Sequence, residues 1–174
     1  MLELEAAVQR NPADAAAWFE LGVKQQENER EQKALQALRQ AAELNPAHLP
    51  TWLALAVSYT NESDRTETYA AIKEWVDRND AYRAASSAYY AQAGPEPASL
   101  EARFERLIQC LINMARGNES DVIDADIQIA LAVLLNANEV SEGVEVADQL
   151  LDIVFRIMRG HMIVFAQRWP YALM

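Results

Sequence analysis

Residues 11–46 read NPADAAAWFELGVKQQENEREQKALQALRQAAELNP, and residues 45–80 read NPAHLPTWLALAVSYTNESDRTETYAAIKEWVDRND. The two segments align without a gap at a step of 34 residues. Positions that keep this step are Asn11 and Asn45, Trp18 and Trp52, Leu21 and Leu55, Gly22 and Ala56, Ala7 and Ala41, and the triplet Leu4, Leu38 and Ile72. A fixed period of this length is typical of stacked helix-turn-helix units. The sequence therefore predicts an all-α repeat solenoid.

The composition supports this class. The chain has 174 residues, half of them apolar, with only 5 Gly and 6 Pro, the two residues that least favour helices. The net charge of −11 argues against a nucleic-acid partner, which needs clustered Lys and Arg. The single cysteine, Cys110, excludes an internal disulfide, suits a reducing compartment and lies in an apolar run, so we expect a buried thiol. The first residues lack a basic start, so no signal peptide is predicted.

Apolar spacing and breaker residues divide the chain into helices. The predicted helices are 2–10, 13–28, 31–44, 49–61, 64–78, 80–92, one N-capped by Ser99 that follows the breaker Gly94-Pro95-Glu96-Pro97, and 124–138. The predicted organisation is a repeat region over 1–139 and a divergent helical tail over 140–174. Within the repeat region, 1–12 is a partial repeat, 13–46 and 47–80 are complete repeats, 81–123 is irregular and 124–138 is the first helix of a later repeat.

Several of the repeated positions predict packing. Trp18, Trp52 and Tyr59 recur at helical spacing and are expected in the core, because large aromatic side chains usually pack. Gly22 costs roughly 1 kcal/mol in a helix relative to Ala. Its presence therefore predicts close approach of a neighbouring helix. Trp75 replaces a small residue of the preceding repeat, which predicts wider helix spacing or a changed neighbour.

The repeated positions Trp-Leu-Gly/Ala-Tyr and Ala-Leu/Ile-Ala-Pro resemble the tetratricopeptide family, whose period is about 34 residues. More specific runs are Gln26-Glu27-Asn28-Glu29, Ala54 to Ser63 (ALAVSYTNES), Asp80-Ala81-Tyr82, and Asp126 to Asn136. These runs resemble the receptor family for the type 1 peroxisomal targeting signal, peroxin five, over roughly residues 1–139. The resemblance implies capture of cargo ending in Ser-Lys-Leu or a close variant, peroxisomal docking proteins as further partners, and a cytoplasmic location with cycling to the peroxisomal membrane.

The chain also departs from that family. The later repeats that complete the family's binding groove are missing, and the resemblance ends at Val140. The chain begins in the second helix of a repeat, so we expect a fragment or a truncated product, with weak cargo binding. The segment 140–174 is expected to be helical, to cap the open end of the array within one molecule or between two, and to be too interrupted by charged residues to span a bilayer.

In such an array the first helix of each repeat, the A helix, lines the concave surface. Val57, Thr60 and Asn61 stand at i, i+3 and i+4 and therefore share a face. An asparagine amide offers donors and an acceptor to a peptide backbone or a carboxylate without a net charge. Val57, Thr60, Asn61 and Asn136 are the candidate peptide contacts, and Glu27 is a candidate for the penultimate basic residue of the cargo. The alternatives are that Thr60 and Asn61 only end a helix and that Glu27 is a solvated surface acid.

Two other classes of function remain as alternatives. The first is a generic tetratricopeptide scaffold for another partner, such as a chaperone tail, but such clamps use several Lys and Arg where this chain has Val, Gln, Glu, Thr and Asn. The second is an enzyme, for which no acid, base and nucleophile grouping is present. His48 and His161 have no second ligand at metal spacing. We therefore predict no catalytic residues, no metal site and no cofactor.

Overall fold

The computed structural model describes residues 2–117 and 124–138. Every regular element among these residues is an α-helix, which confirms the all-α repeat class. The helices are α1 (Leu2–Arg10), α2 (Ala15–Gln26), α3 (Glu31–Leu44), α4 (Leu49–Asn61), α5 (Arg65–Arg78), α6 (Arg83–Ala93), α7 (Leu100–Gly117) and α8 (Ala125–Asn138). The predicted bounds of α3 and α4 are correct to the residue.

Local side chains fix where the helices begin. Asp14 accepts hydrogen bonds at Oδ1 from two backbone amides of the first turn of α2, at 3.0 and 3.1 Å. Asp64 caps α5 through the amide of Glu67 at 3.2 Å. Ser99 accepts from the amide of Ala102 at 3.2 Å, so the predicted N-cap of α7 is confirmed. Each cap satisfies a donor that has no partner inside the helix.

The turn between the two helices of a repeat has the same backbone in both repeats. Glu29 and Ser63, 34 residues apart, adopt left-handed φ angles of 56° and 60°. The amide following each of them donates back across the helix end, from Arg30 to the carbonyl of Gln25 at 3.0 Å and from Asp64 to that of Tyr59 at 2.8 Å. This is the hydrogen-bond pattern of a Schellman C-cap. The period is therefore visible in the backbone.

The chain divides into two compact units, the first ending at Asn79 and the second beginning at Asp80. In the first unit, which contains α1 to α5, helices that are consecutive in the chain pack on each other, and α4 also contacts α2. Gly22 lies at a close approach of α2 and α3, because a Cβ built on it would be 2.6 Å from Cγ of the buried Leu38. The close approach predicted for Gly22 is confirmed.

The aromatic residues of the first unit are buried to different degrees. Tyr59, which is 5% exposed, and Trp75, which is fully buried, are core residues. Trp18 and Trp52 are half-buried rather than fully buried. Trp18 packs against the buried cluster of Val8, Leu21 and Ala37, so it lies at the edge of the core. Each indole N–H donates to a proline carbonyl of the preceding turn, Pro12 at 2.8 Å and Pro46 at 2.9 Å. An indole that must reach this carbonyl keeps one edge at the surface.

The second unit contains α6, α7 and α8, and α7 packs against both of the others. Its fully buried side chains include Phe104, Leu107 and Leu111 of α7 and Ile127 and Leu134 of α8. Cys110 is also fully buried, as predicted.

The breaker loop before α7 is held by arginines of that helix. Arg106 donates to the carbonyls of Gly94 at 2.5 Å and Pro95 at 2.6 Å, and Arg103 donates to that of Pro97 at 2.8 Å. The loop is therefore fixed to the helix that follows it.

The predictions for the tail over 140–174 lie outside the described residues. Within the part of the chain that the structure describes, no helix has the length and apolar character needed to cross a membrane.

Candidate peptide-binding face

The last turn of α4 carries three of the predicted contacts. Val57 and Thr60 are half-buried and Asn61 is exposed. The hydroxyl of Thr60 donates to the carbonyl of Ala56 at 2.8 Å and lies 3.3 Å from the hydroxyl of Thr68 on α5. The hydroxyl proton of Thr60 is therefore used within the unit, and the lone pairs of its oxygen are what it offers to a ligand.

Asn61 faces a different neighbour. Its side-chain amide nitrogen Nδ2 donates to Oε1 of Glu31, the first residue of α3, at 2.8 Å. The other carboxylate oxygen of Glu31, Oε2, accepts from the hydroxyl of Ser58 at 2.7 Å. Because Ser58 is fully buried, this carboxylate connects the exposed amide of Asn61 to a buried side chain of the same helix.

A glutamine of the preceding A helix completes the arrangement. Nε2 of Gln26 donates to the hydroxyl of Ser58 at 2.7 Å and to the carbonyl of Ala54 at 2.8 Å. We call Gln26, Ser58, Glu31 and Asn61 the Asn61 network. It links α2, α3 and α4, so it spans the junction between the two complete repeats.

The sequence indicated only part of this network. Gln26 was visible as the counterpart of Thr60 one period earlier, and Asn61 as a candidate contact. Glu31 and Ser58 carried no signal, because their counterparts at the 34-residue step are Arg65 and Lys24. A contact that is made once at the junction of two repeats leaves no repeated residue in the sequence.

Glu27 lies at the end of α2 and is exposed. Its carboxylate forms an ion pair with Nζ of Lys24 at 2.6 Å, with 40% and 47% of the two side chains exposed. An exposed pair of this kind is screened by solvent and contributes about 0–1 kcal/mol to stability. Glu27 therefore remains accessible to a cation of a ligand, in competition with Lys24.

Asn136 lies in the last turn of α8 and is exposed, as a ligand contact must be. It belongs to the second unit, whereas Val57, Thr60, Asn61 and Glu27 belong to the first. Val133, one turn before Asn136 on α8, is 9% exposed and belongs to the core of that unit.

A cleft of about 250 Å³ lies on the other side of α4, between α3 and α5. Its aromatic residues already contact arginines of the chain. Nε of Arg39 donates to the hydroxyl of Tyr59 at 2.8 Å, which raises the pKa of Arg39, and the guanidinium carbon of Arg78 is 5.2 Å from the ring centre of Trp52. Carboxylates of Glu43, Glu67 and Glu74 also line it. The mixed charges and occupied rings give the cleft no preference for one ionic ligand.

Among the residues that the structure describes, no group of three or more His, Cys, Asp or Glu side chains is placed to hold a metal ion.

Comparisons with known proteins extend this description. No family model matches the chain. The PEX5-related protein of Mus musculus is 33% identical over 142 residues, which cover 78% of this chain and 25% of the mouse protein. The PEX5-related protein of Homo sapiens is 32% identical over 145 residues, covering 78% and 22%. The peroxisomal targeting signal receptor of Yarrowia lipolytica is 34% identical over 148 residues, covering 79% and 23%.

The helical pairs and their period place the chain in the class of tetratricopeptide-type repeat proteins. Over the matched segment it is a homologue of the receptors and receptor-related proteins above, and it contains a PEX5-like repeat region. The chain spans about a quarter of the length of these curated relatives.

Proposed function

We propose that this repeat region binds the C-terminal targeting peptides of peroxisomal matrix proteins, of the Ser-Lys-Leu type, and serves their import. Val57, Thr60, Asn61 and Asn136 are the proposed peptide contacts, and Glu27 the proposed contact for a basic side chain. The proposed location is the cytoplasm, with cycling to the peroxisomal membrane through docking proteins. The names of the relatives support this role, since the yeast homologue is a peroxisomal targeting signal receptor.

One observation carries the site. Asn61 is an exposed amide at the end of an A helix and is anchored on its inner side by Glu31. Groups that are fixed before a ligand arrives lose less side-chain entropy when it binds. A neutral amide also reads both the N–H and the C=O of an extended peptide. These properties favour recognition of the peptide main chain by Asn61 over recognition of a charged side chain.

A titration of the 174-residue chain with a fluorescent peptide ending in Ser-Lys-Leu tests this proposal. We expect saturable binding that is weaker for the C-terminally amidated peptide and about tenfold weaker for Asn61→Ala, the loss of roughly 1.4 kcal/mol expected for a good hydrogen bond. The control is Gln36→Ala, which removes an exposed amide from α3, the second helix of the first complete repeat.

Equal affinity for the free-acid and amidated peptides, or an unchanged affinity of Asn61→Ala, would refute the proposal. A chaperone-tail peptide titrated in parallel tests the generic-scaffold alternative. Preference for that peptide over the Ser-Lys-Leu peptide would establish the alternative.

A further inference from the structure

Glu31 occupies an unusual position for a surface acid. It is half-buried, and each of its carboxylate oxygens accepts a hydrogen bond from α4, one from Asn61 at 2.8 Å and one from Ser58 at 2.7 Å. Ser58 is itself held by Gln26 at 2.7 Å. Glu31 is therefore fixed from two sides, and it connects α3 to the end of the neighbouring A helix.

This arrangement sets the orientation of the Asn61 amide. A carboxylate only accepts hydrogen bonds, so the donor nitrogen Nδ2 must face it. The opposite orientation would bring Oδ1 of Asn61 against a negatively charged oxygen. Because Nδ2 and Oδ1 point in different directions from the same carbon, the carbonyl oxygen turns away from Glu31. A hydrogen bond to an ionised acceptor is also roughly twice as strong as one between neutral groups.

We propose that Glu31 is a positioning residue, which locks the Asn61 amide so that Oδ1 accepts a backbone N–H of the bound peptide. The negative charge behind Asn61 disfavours the terminal carboxylate of the peptide at this point and favours a main-chain donor. This inference rests on the proposed peptide-binding function. Asn61 is then the acceptor for a peptide N–H, and Glu31 fixes the orientation of the Asn61 amide.

The orientation is measured without ligand, by NMR of the Asn61 side-chain amide in the 174-residue chain, with its resonances assigned from their loss in Asn61→Ala. We expect the two amide protons of the wild-type protein to differ in shift and to exchange slowly with solvent. In Glu31→Ala both features should collapse toward those of a solvent-exposed asparagine.

One variant serves as the control for this measurement. Glu43→Ala removes an exposed acid from the same helix and should leave them unchanged. Helix content by circular dichroism checks that Glu31→Ala is folded, which we expect because Ala is a strong helix former. Unchanged Asn61 resonances in folded Glu31→Ala would overturn the inference.

The binding arm is a double-mutant cycle with the Ser-Lys-Leu peptide. We expect Glu31→Ala to weaken binding about three- to tenfold in the wild-type background and to have no further effect in Asn61→Ala. The same weakening in both backgrounds would show that Glu31 does not act through Asn61 and would overturn the inference. If the wild-type chain binds no such peptide, the proposed function fails, and the NMR comparison still accepts or rejects the positioning by Glu31.

Discussion

Substituting Gly22 by alanine should destabilise the first unit, although alanine is the better helix former. The built Cβ lies 2.6 Å from Cγ of Leu38, 2.7 Å from its Cδ2 and 3.3 Å from its backbone nitrogen. Leu38 is fully buried, and the nearest atom is its branch point rather than a flexible tip. Overpacking of this kind costs about 1–3 kcal/mol. The gain in helix propensity is about 1 kcal/mol. Because two side-chain contacts fall below 3 Å, the clash lies in the upper half of the overpacking range, at about 2–3 kcal/mol. We therefore expect a net loss of about 1–2 kcal/mol.

Urea denaturation followed by tryptophan fluorescence measures this loss. Trp18, Trp52 and Trp75 lie in the first unit, so three of the four tryptophans of the chain report on it. With a slope of about 2 kcal/mol/M, in the middle of the range for small proteins in urea, the midpoint should fall by roughly 0.5–1 M. The slope itself should not change, because the surface exposed on unfolding is nearly the same.

A second background separates the clash from the propensity. Leu38→Ala removes the two side-chain atoms that would lie within 2.7 Å of the new methyl group and leaves only the backbone nitrogen at 3.3 Å. In that background Gly22→Ala should therefore stabilise the unit by up to about 1 kcal/mol. Ala56→Gly, at the same position of the next repeat, should cost about 1 kcal/mol. If Gly22→Ala raises the midpoint in the wild-type background, the helices separate more easily than this packing allows and the reasoning is refuted.

Three further predictions test single features. Asp14→Ala removes both N-cap bonds of α2 and should cost about 1 kcal/mol in the same urea assay; no change in the midpoint would contradict the cap. Burial, together with the hydrogen bond from its hydroxyl to Asp124, raises the pKa of Tyr82 well above its usual range. The associated stability is present below pH about 10, the unfolded pKa, and is lost as the pH rises toward the folded value. Burial also raises the pKa of Tyr89, so absorbance titration should show more than one tyrosine that ionises late, and Tyr82→Phe should show one fewer than the wild type. The buried thiol of Cys110 should react with a thiol reagent only in denaturant, and rapid labelling of the native chain would contradict its burial.

The repeat fold was predictable because its signals are local. The Asn-Pro turns end the helices by proline chemistry, and the apolar spacing within each segment gives the face that packs. Both signals lie within a few residues of the boundary they set, which is why α3 and α4 were placed correctly. The exposure of Trp18 and Trp52 was missed, since their half-burial depends on an indole N–H reaching back to a proline carbonyl six residues earlier.

The candidate site was less predictable, because its contacts cross between repeats. Val57, Thr60 and Asn61 satisfy the spacing of one helical face, yet Thr60 and Asn61 are consecutive residues and point about 100° apart around the helix. The structure shows the consequence, since the hydroxyl of Thr60 lies near α5 while the amide of Asn61 reaches α3. Helical spacing gives the direction of a side chain to within a broad sector, and it does not identify the neighbouring helix in that sector.

The neighbours decide what each side chain of that face offers to a ligand. The hydroxyl of Thr60 donates its proton to a carbonyl of its own helix, so it can only accept a hydrogen bond from a ligand. Asn61 uses one of the two N–H donors of its amide on Glu31, and its carbonyl oxygen, which points away from Glu31, is an acceptor. Both side chains therefore present an acceptor to the N–H groups of an extended peptide. In a series of peptides that are each N-methylated at one main-chain position, affinity should fall at the positions whose N–H groups donate to Thr60 or Asn61. In Asn61→Ala, methylation of the N–H that donates to Asn61 should no longer lower the affinity.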